Sequence, residues 1–148
     1  NYIILRPTNN YGIGQYVEKL IPKAVKCLFL NKKIPLHNKG LPIRNWLHAA
    51  DTASATIKII ESNASNEIYN ICGGYEQSNI ETVSKILYLY DKKLNIKDCI
   101  NTSFDREGQD VRYALCDSKL RGLGWSPLIK FDTELKNIVK HYKNNFIW

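Results

Sequence analysis

Apolar and polar positions along this chain switch between a period of about two and one near 3.6, and the switches mark its elements. Residues 2–5, Tyr-Ile-Ile-Leu, form a short, largely β-branched run of the kind found inside a parallel sheet, and Pro7 ends it before a loop of Asn, Gly and Tyr. Over 18–32 the apolar residues Leu20, Ile21, Ala24, Val25, Leu28 and Phe29 have helical spacing, with Pro22 tolerated in the first turn. Short strands are expected at 34–37 and 43–47 around the turn Asn38-Lys39-Gly40. Asp51 is placed to cap a second helix through about Glu61, with Ala53, Ala55, Ile57, Ile59 and Ile60 as its packing surface, and 67–72 reads as a strand ending in Gly73-Gly74.

Ser78-Asn79-Ile80-Glu81 is a capping box opening a helix that carries Val83, Ile86, Leu87 and Leu89. After a polar loop over 104–110, Asp117 is placed to cap a short helix that stops at Gly122 or Gly124. The turn Trp125-Ser126-Pro127 leads to a last amphipathic helix over 132–145. No internal repeat or low-complexity linker interrupts the pattern, which is that of an α/β sheet fragment joined to a smaller, mostly helical lobe.

Polar residues at the end of the first strand single out a site. Ligands of open α/β sheets sit beyond the carboxyl ends of strands, so Asn9, Asn10 and Tyr11 stand where a ligand would. Gly12-Ile13-Gly14 follows the strand as a dinucleotide loop would, but the residue three after Gly14 is Val17, so a pyrophosphate role is not expected.

Composition narrows the rest. The 148 residues suit one ordinary domain, and 44% hydrophobic content supports a core. The chain contains no methionine and its first strand lacks upstream partners, which a parallel strand needs, so a single incomplete domain is expected. A formal charge of +7 admits nucleic acid, anionic lipid or a phosphorylated small molecule as partner. The lysines (Lys19, Lys23, Lys26, Lys32 and Lys33; Lys85, Lys92 and Lys93; Lys136, Lys140 and Lys143) are dispersed without interleaved aromatics, which favours a solvated face over a nucleic-acid patch. Cys27, Cys72, Cys99 and Cys116 lie far apart with no CxxC pair and no histidine at ligand spacing, so no metal site is expected and the thiols are expected reduced and buried. No apolar run reaches the ~18 residues of a membrane span, and a cytoplasmic protein without a membrane partner is expected.

The segment 6–22, RPTNNYGIGQYVEKLIP, resembles one in the nucleotide-sugar 4,6-dehydratases of the extended short-chain dehydrogenase superfamily, where an SNNYG-like run precedes PEKLIP. Three further matches follow in the same order. The family's PLPVYG…IRDW is met by Ile34-Pro35-Leu36-His37 and Ile43-Arg44-Asn45-Trp46, with His37 in place of tyrosine. Its YNIGG…N is met by Tyr69-Asn70-Ile71-Cys72-Gly73-Gly74 and Asn79. Its DRPGHDRRYA is met by residues 105–114, with Glu107 and Gln109 replacing proline and histidine.

The resemblance implies an α/β fold: the C-terminal part of an NAD-binding Rossmann-type extended short-chain dehydrogenase, whose last sheet strands lie near 2–6 and 67–72 and whose remainder is a small, mostly helical substrate-binding lobe. It implies NAD as cofactor, a nucleotide-diphosphate sugar (dTDP-glucose or UDP-glucose) as substrate, no nucleic acid, and a homodimer in the complete protein. Asn9 would then contact the sugar nucleotide and Asn10 would lie against the nicotinamide end of NAD. Lys19 and the backbone at Leu20 would touch the diphosphate, Pro35 and His37 would border the base, and Asn79 would face the substrate from a helix N-terminus. Arg44 would grip the diphosphate with its two-pronged guanidinium, and Arg106 would clamp it from the opposite side. No catalytic residue is expected here, because the family's Tyr-x-x-x-Lys pair, Asp-Glu dyad and glycine-rich loop lie upstream. Tyr88 and Lys92 have the spacing of that pair but end a helix downstream, and are expected to be structural. A UDP-sugar 4-epimerase or UDP-glucuronate decarboxylase would share the fold and the arginines, while a non-catalytic NAD-binding scaffold and a basic nucleic-acid-binding module are the readings of another class.

Overall fold

The structure, a computed structural model, describes residues 1–103, 105 and 107–145. Strand β1 (Ile3–Pro7) continues almost directly into β2 (Asn9–Tyr11), followed by α1 (Leu20–Phe29), β3 (Ile34–Pro35), a 3-10 turn at His37–Gly40, β4 (Ile43–His48) and α2 (Ala49–Glu61). Next come β5 (Glu67–Ile71), β6 (Tyr75–Ser78), α3 (Asn79–Tyr90), α4 (Ile96–Cys99), β7 (Ile100–Asn101), β8 (Arg112–Tyr113), α5 (Ser118–Arg121) and α6 (Phe131–Asn144).

Thr8 is where the chain changes sheets. β1 pairs in parallel with β5, while β2 pairs in parallel with β4, whose other partners are β6 (antiparallel) and β8 (parallel). The Thr8 N–H donates to Ile71 O at 2.9 Å, and its hydroxyl donates to the Asn45 side-chain carbonyl at 3.1 Å, tying β5 to β4 across the switch. The same Asn45 oxygen accepts from Gly73 N–H at 3.0 Å, and the Asn45 amide lies 3.5 Å from Glu76. Gly73 has to be glycine here: a Cβ on it would stand 1.7 Å from Trp46 O.

β4 also divides two cores, because successive strand residues face opposite ways. Trp46 joins Tyr11, Ile34, Leu36 and the inner faces of α1, α3 and α6, whereas Leu47 joins Ala55, Ile59, Tyr69, Ile71, Leu120 and Trp125. Each such fully buried large side chain contributes roughly 1.5–3 kcal/mol. Asp51, 3% exposed, holds the second core shut by accepting from Leu128 N–H and Ile129 N–H, both at 3.1 Å.

Several expectations need correction. Pro7 does end β1, but Asn9–Tyr11 beyond it form β2 and not a loop, and β1 packs on one face: Ile3 and Leu5 meet the second core while Ile4 is exposed. α1 starts at Leu20 rather than 18, after a turn in which Lys19 N–H bonds Tyr16 O, and it ends where Asn31 turns left-handed. The strands near 34 and 43 do not pair with each other; β3 joins β7, and Asn38 and Lys39 at positive φ turn the chain away. His48, not Asp51, caps α2 through its Nδ1, and Ile57 and Ile60 are exposed. Asp117 precedes α5 but spends its carboxylate on Arg121 Nε at 2.9 Å. Of the cysteines, all free, Cys72 is buried, Cys27 and Cys99 are partly covered and Cys116 is exposed. The Ser78–Glu81 capping box is present in full.

Candidate functional site

The β1–β2 junction, the start of α1, the first residues of β4 and the start of α3 converge on one open cleft of about 710 Å³. Its chemistry follows from those backbones. Thr8 is buried and anchored, which aims the next two asparagines at the cleft. The Asn10 side chain is oriented at both ends: its oxygen accepts from the Thr52 hydroxyl at 2.6 Å and its amide donates to Thr8 O at 3.0 Å, leaving one N–H for a ligand. The Asn10 carbonyl accepts from Gln15 Nε2 at 2.6 Å, folding the 12–18 loop back over the rim.

The opposite wall is cationic. α1 begins at Leu20 with Lys19 at its cap, no capping side chain and no acidic residue in the first turn, and Pro22 has no N–H to offer. The N–H groups of Leu20 and Ile21 therefore lack the helical acceptors of a later turn, and the positive end of the helix dipole faces the cleft beside Lys19 and Lys23. Such a terminus accommodates an anion. Across from it, Arg44 Nη1 donates to Ile43 O at 2.8 Å and Asp110 O at 3.0 Å. Neutral carbonyls thus position this guanidinium, and among the described residues it has no carboxylate partner. Glu18 is the acidic group on the lining, against Lys19, Lys23 and Arg44.

Trp46, two residues beyond Arg44 and so on the same face of β4, completes the inner wall. Its Nε1 is buried with no hydrogen-bond partner among the described residues. Its ring sits in an aromatic group with Tyr11 and Phe131, at 6.1 and 5.6 Å between centroids, and Tyr75 stacks on Phe131 at 4.9 Å. Burial, reinforced by Glu134, Asp51 and Asp132, pushes the Tyr11 phenol far above its ordinary value. Contrary to the expectation that it stands where a ligand would, Tyr11 is buried in the first core against Trp46, His48 and Phe131 and is not on the cleft lining.

Residues 1–72 match the model of the NAD dependent epimerase/dehydratase family. A dTDP-glucose 4,6-dehydratase of Haemophilus influenzae is 38% identical over 97% of the chain, which covers 45% of that protein. The crystal structure of dTDP-glucose 4,6-dehydratase from Bacillus anthracis, in complex with NAD, superposes with a TM-score of 0.88 at 37% identity, over 99% of this chain and 46% of that one. This chain is a homologue of dTDP-glucose 4,6-dehydratase. It has the α/β extended short-chain dehydrogenase fold and spans about half the length of the relatives it matches. A Thermotoga maritima UDP-glucose 4-epimerase superposes with a TM-score of 0.85 at 19% identity, a likeness of fold alone.

For this dehydratase homologue, eight of the residues expected at the site line the one cleft: Asn9, Asn10, Lys19, Leu20, Pro35, His37, Arg44 and Asn79. They come from five separated places in the chain. Arg106 lies outside the described residues. The described partners of Arg44 are carbonyls and not a surface carboxylate. Asn79 opens α3 while Ser78 does the capping, which leaves the Asn79 side chain on the cleft without a capping task.

Sequence reasoning missed Thr8, Gln15, Tyr16, Glu18, Lys23, Trp46 and Gln109 on the lining. Two of these carried a signal. Lys23 lies one helical turn after Lys19, and Trp46 lies one strand period after Arg44. Gly14 faces α6, donating its N–H to the Tyr142 hydroxyl at 3.0 Å, and Tyr88 and Lys92 are not on the lining. Among the described residues no three His, Cys, Asp or Glu side chains gather as for a metal, and no helix is long and apolar enough to cross a membrane.

Proposed function

We propose that this chain is the substrate-binding half of an NAD-dependent nucleotide-sugar 4,6-dehydratase acting on dTDP-glucose or UDP-glucose. The observation that carries the reading is the pairing, across one cleft, of the uncapped α1 N-terminus and its two lysines with an Arg44 fork that has no carboxylate partner among the described residues. A diphosphate needs that arrangement: two anionic groups facing donors from both sides. Arg44 and the Leu20 N–H hold the diphosphate, Asn9 and Asn79 meet the polar groups that flank it, and Pro35 and His37 border the base. The buried Trp46 Nε1 gains an acceptor from the ligand, which removes the cost of about 1–3 kcal/mol for an unsatisfied buried donor.

The residues present fit one edge of NAD. Asn10, with its amide oriented by Thr52 and Thr8, is the group that reaches it, while the Gly14 N–H is engaged by Tyr142. When bound, NAD supplies the acceptor for hydride from sugar C4 and its return to C6 after water leaves across C5 and C6. This chain's part is positioning: it fixes a dianionic handle remote from the reacting carbons, so that binding energy holds C4 and C5 in line for chemistry carried by other residues.

The test uses the complete protein with NAD and either dTDP-glucose or UDP-glucose, followed by mass spectrometry of the sugar nucleotide. A product lighter by one water, with a 4-keto group, supports the dehydratase. A C4 epimer of unchanged mass replaces it with the epimerase reading, and binding without turnover leaves the non-catalytic scaffold.

A further inference from the structure

Behind the cleft wall, helices α3 and α6 run side by side and leave a furrow on their outer surface. It consists of two depressions that share Tyr88 and Leu89: one of about 380 Å³ bounded by Lys85, Asp132 and Leu135, and one of about 440 Å³ bounded by Val139 and a cluster of lysines. The furrow follows α6 from Asp132 to Asn144, about 18 Å at 1.5 Å per residue. Tyr88 is 59% exposed on its floor.

Charge is confined to one end. In the first depression Lys85 is neutralised by Asp132 at 2.5 Å. In the second, Lys92, Lys136, Lys140 and Lys143 stand together without a carboxylate partner among the described residues. Lys92 lies over the Tyr88 ring and Lys143 over the Tyr90 ring, at 5.2 and 4.6 Å from the centroids. Lys136 and Lys140 are an i, i+4 like-charge pair on an exposed helix face, an arrangement that disfavours the free helix and that interleaved carboxylates would relieve.

We propose that this furrow is a docking surface for an acidic amphipathic helix of a protein partner, with the partner's apolar residues on the exposed Tyr88 ring and the half-buried Leu89 and its carboxylates against the four lysines. The graded charge selects this occupant. A nucleic-acid strand carries phosphate along its whole length and would meet cations at one end alone, whereas a helix of about three turns with an apolar stretch and an acidic stretch matches both halves and the length. The surface lies apart from the residues assigned to the sugar nucleotide, and the inference does not depend on the dehydratase reading.

The experiment is fluorescence anisotropy on the complete protein with a labelled synthetic helical peptide about three turns long, leucines on one face of its first half and glutamates along its second. The expected result is saturable, salt-sensitive binding that weakens about 10-fold in Lys136→Glu/Lys140→Glu and about 10-fold when the peptide glutamates become glutamines. Tyr88→Ala weakens it several-fold, and reversal at Lys58, outside the furrow, leaves it unchanged. Circular dichroism of the double variant checks that both lysine sites were read in a folded protein. Absence of saturable binding, equal binding of the glutamine peptide, or insensitivity to the lysine reversals overturns the proposal. An oligouridylate that binds more tightly than the peptide through the same lysines reassigns the surface to nucleic acid.

Discussion

Replacing Arg44 by alanine should raise the KM for the nucleotide sugar by about 10- to 100-fold while leaving NAD affinity intact. The guanidinium is held at the mouth of the cleft by the carbonyls of Ile43 and Asp110, at 2.8 and 3.0 Å, so it is aimed before substrate arrives. Hydrogen bonds to charged groups are worth about 1.5–3 kcal/mol, and a half-buried fork facing a solvated diphosphate sits near the low end for each of its two bonds. A net loss of about 1.5–3 kcal/mol corresponds to that range in affinity. Arg44→Lys separates charge from geometry. It keeps the cation but loses the planar fork, so its KM should fall between wild type and alanine. Initial rates against sugar-nucleotide concentration give KM and kcat, and a titration of NAD binding supplies the control. A KM within about 2-fold of wild type in Arg44→Ala would refute the assignment, and a matching loss of NAD affinity would show that Arg44 instead props up the fold.

Asp51→Ala strands two backbone N–H groups under the 128–129 segment and should cost roughly 2–4 kcal/mol in chemical denaturation; a shift below about 1 kcal/mol would mean that water replaces the carboxylate. Gly73→Ala drives a Cβ to within 1.7 Å of Trp46 O, so the purified protein should lose its cooperative melt, and a Tm within a few degrees of wild type would contradict the close approach. The hydrogen bond from Arg112 holds the Glu76 carboxyl below the usual glutamate range. A depressed carboxylate stabilises the fold above its unfolded value and loses that contribution as pH falls through the folded value. Wild type and Arg112→Gln should therefore differ in stability at neutral pH and converge below the ordinary glutamate range, whereas a constant gap across the titration would exclude the ion pair as the source. Tyr88→Phe and Lys92→Ala should leave turnover of the complete protein within a few-fold, since neither lines the cleft; a collapse of about 10²-fold or more in a folded variant would place acid–base chemistry there after all.

The parts of the fold legible in the sequence were those with strong local signals. The Ser78–Glu81 box, the α6 stripe and the β-branched runs of β1 and β5 are set by neighbours within a turn or two. What escaped depends on partners far along the chain. Asp51 has the composition of a helix cap, but its fate is decided by backbone N–H groups some 77 residues later, and His48 takes the cap instead. The short strands at 34 and 43 each had the right pattern, yet pattern does not choose partners, and β3 finds β7 across the α3–α4 excursion. At the cleft, the asparagines stood out by their place at the end of a strand, while Lys19 and Arg44 were carried by the resemblance of segments 6–22 and 43–46 to the dehydratases. Thr8 and Trp46 did not, because a buried threonine and a tryptophan in a strand look like ordinary core until the cleft is assembled around them.

The amide at Asn45 has a consequence for how the site comes apart. It joins Thr8 and Gly73 through a group that carries no charge in either direction of a titration, and the residue opposite it in the β4–β6 ladder, Glu76, is half of an ionic clasp on Arg112 of β8. The junction beneath the cleft is thus held by a group indifferent to protons, while the clasp beside it answers to them. Acidification should slacken β8 and the segment leading into it, Asp110 and its hold on Arg44 included, before the register of β1, β2 and β4 changes, so that grip on an anion fades while the scaffold that shapes it still stands.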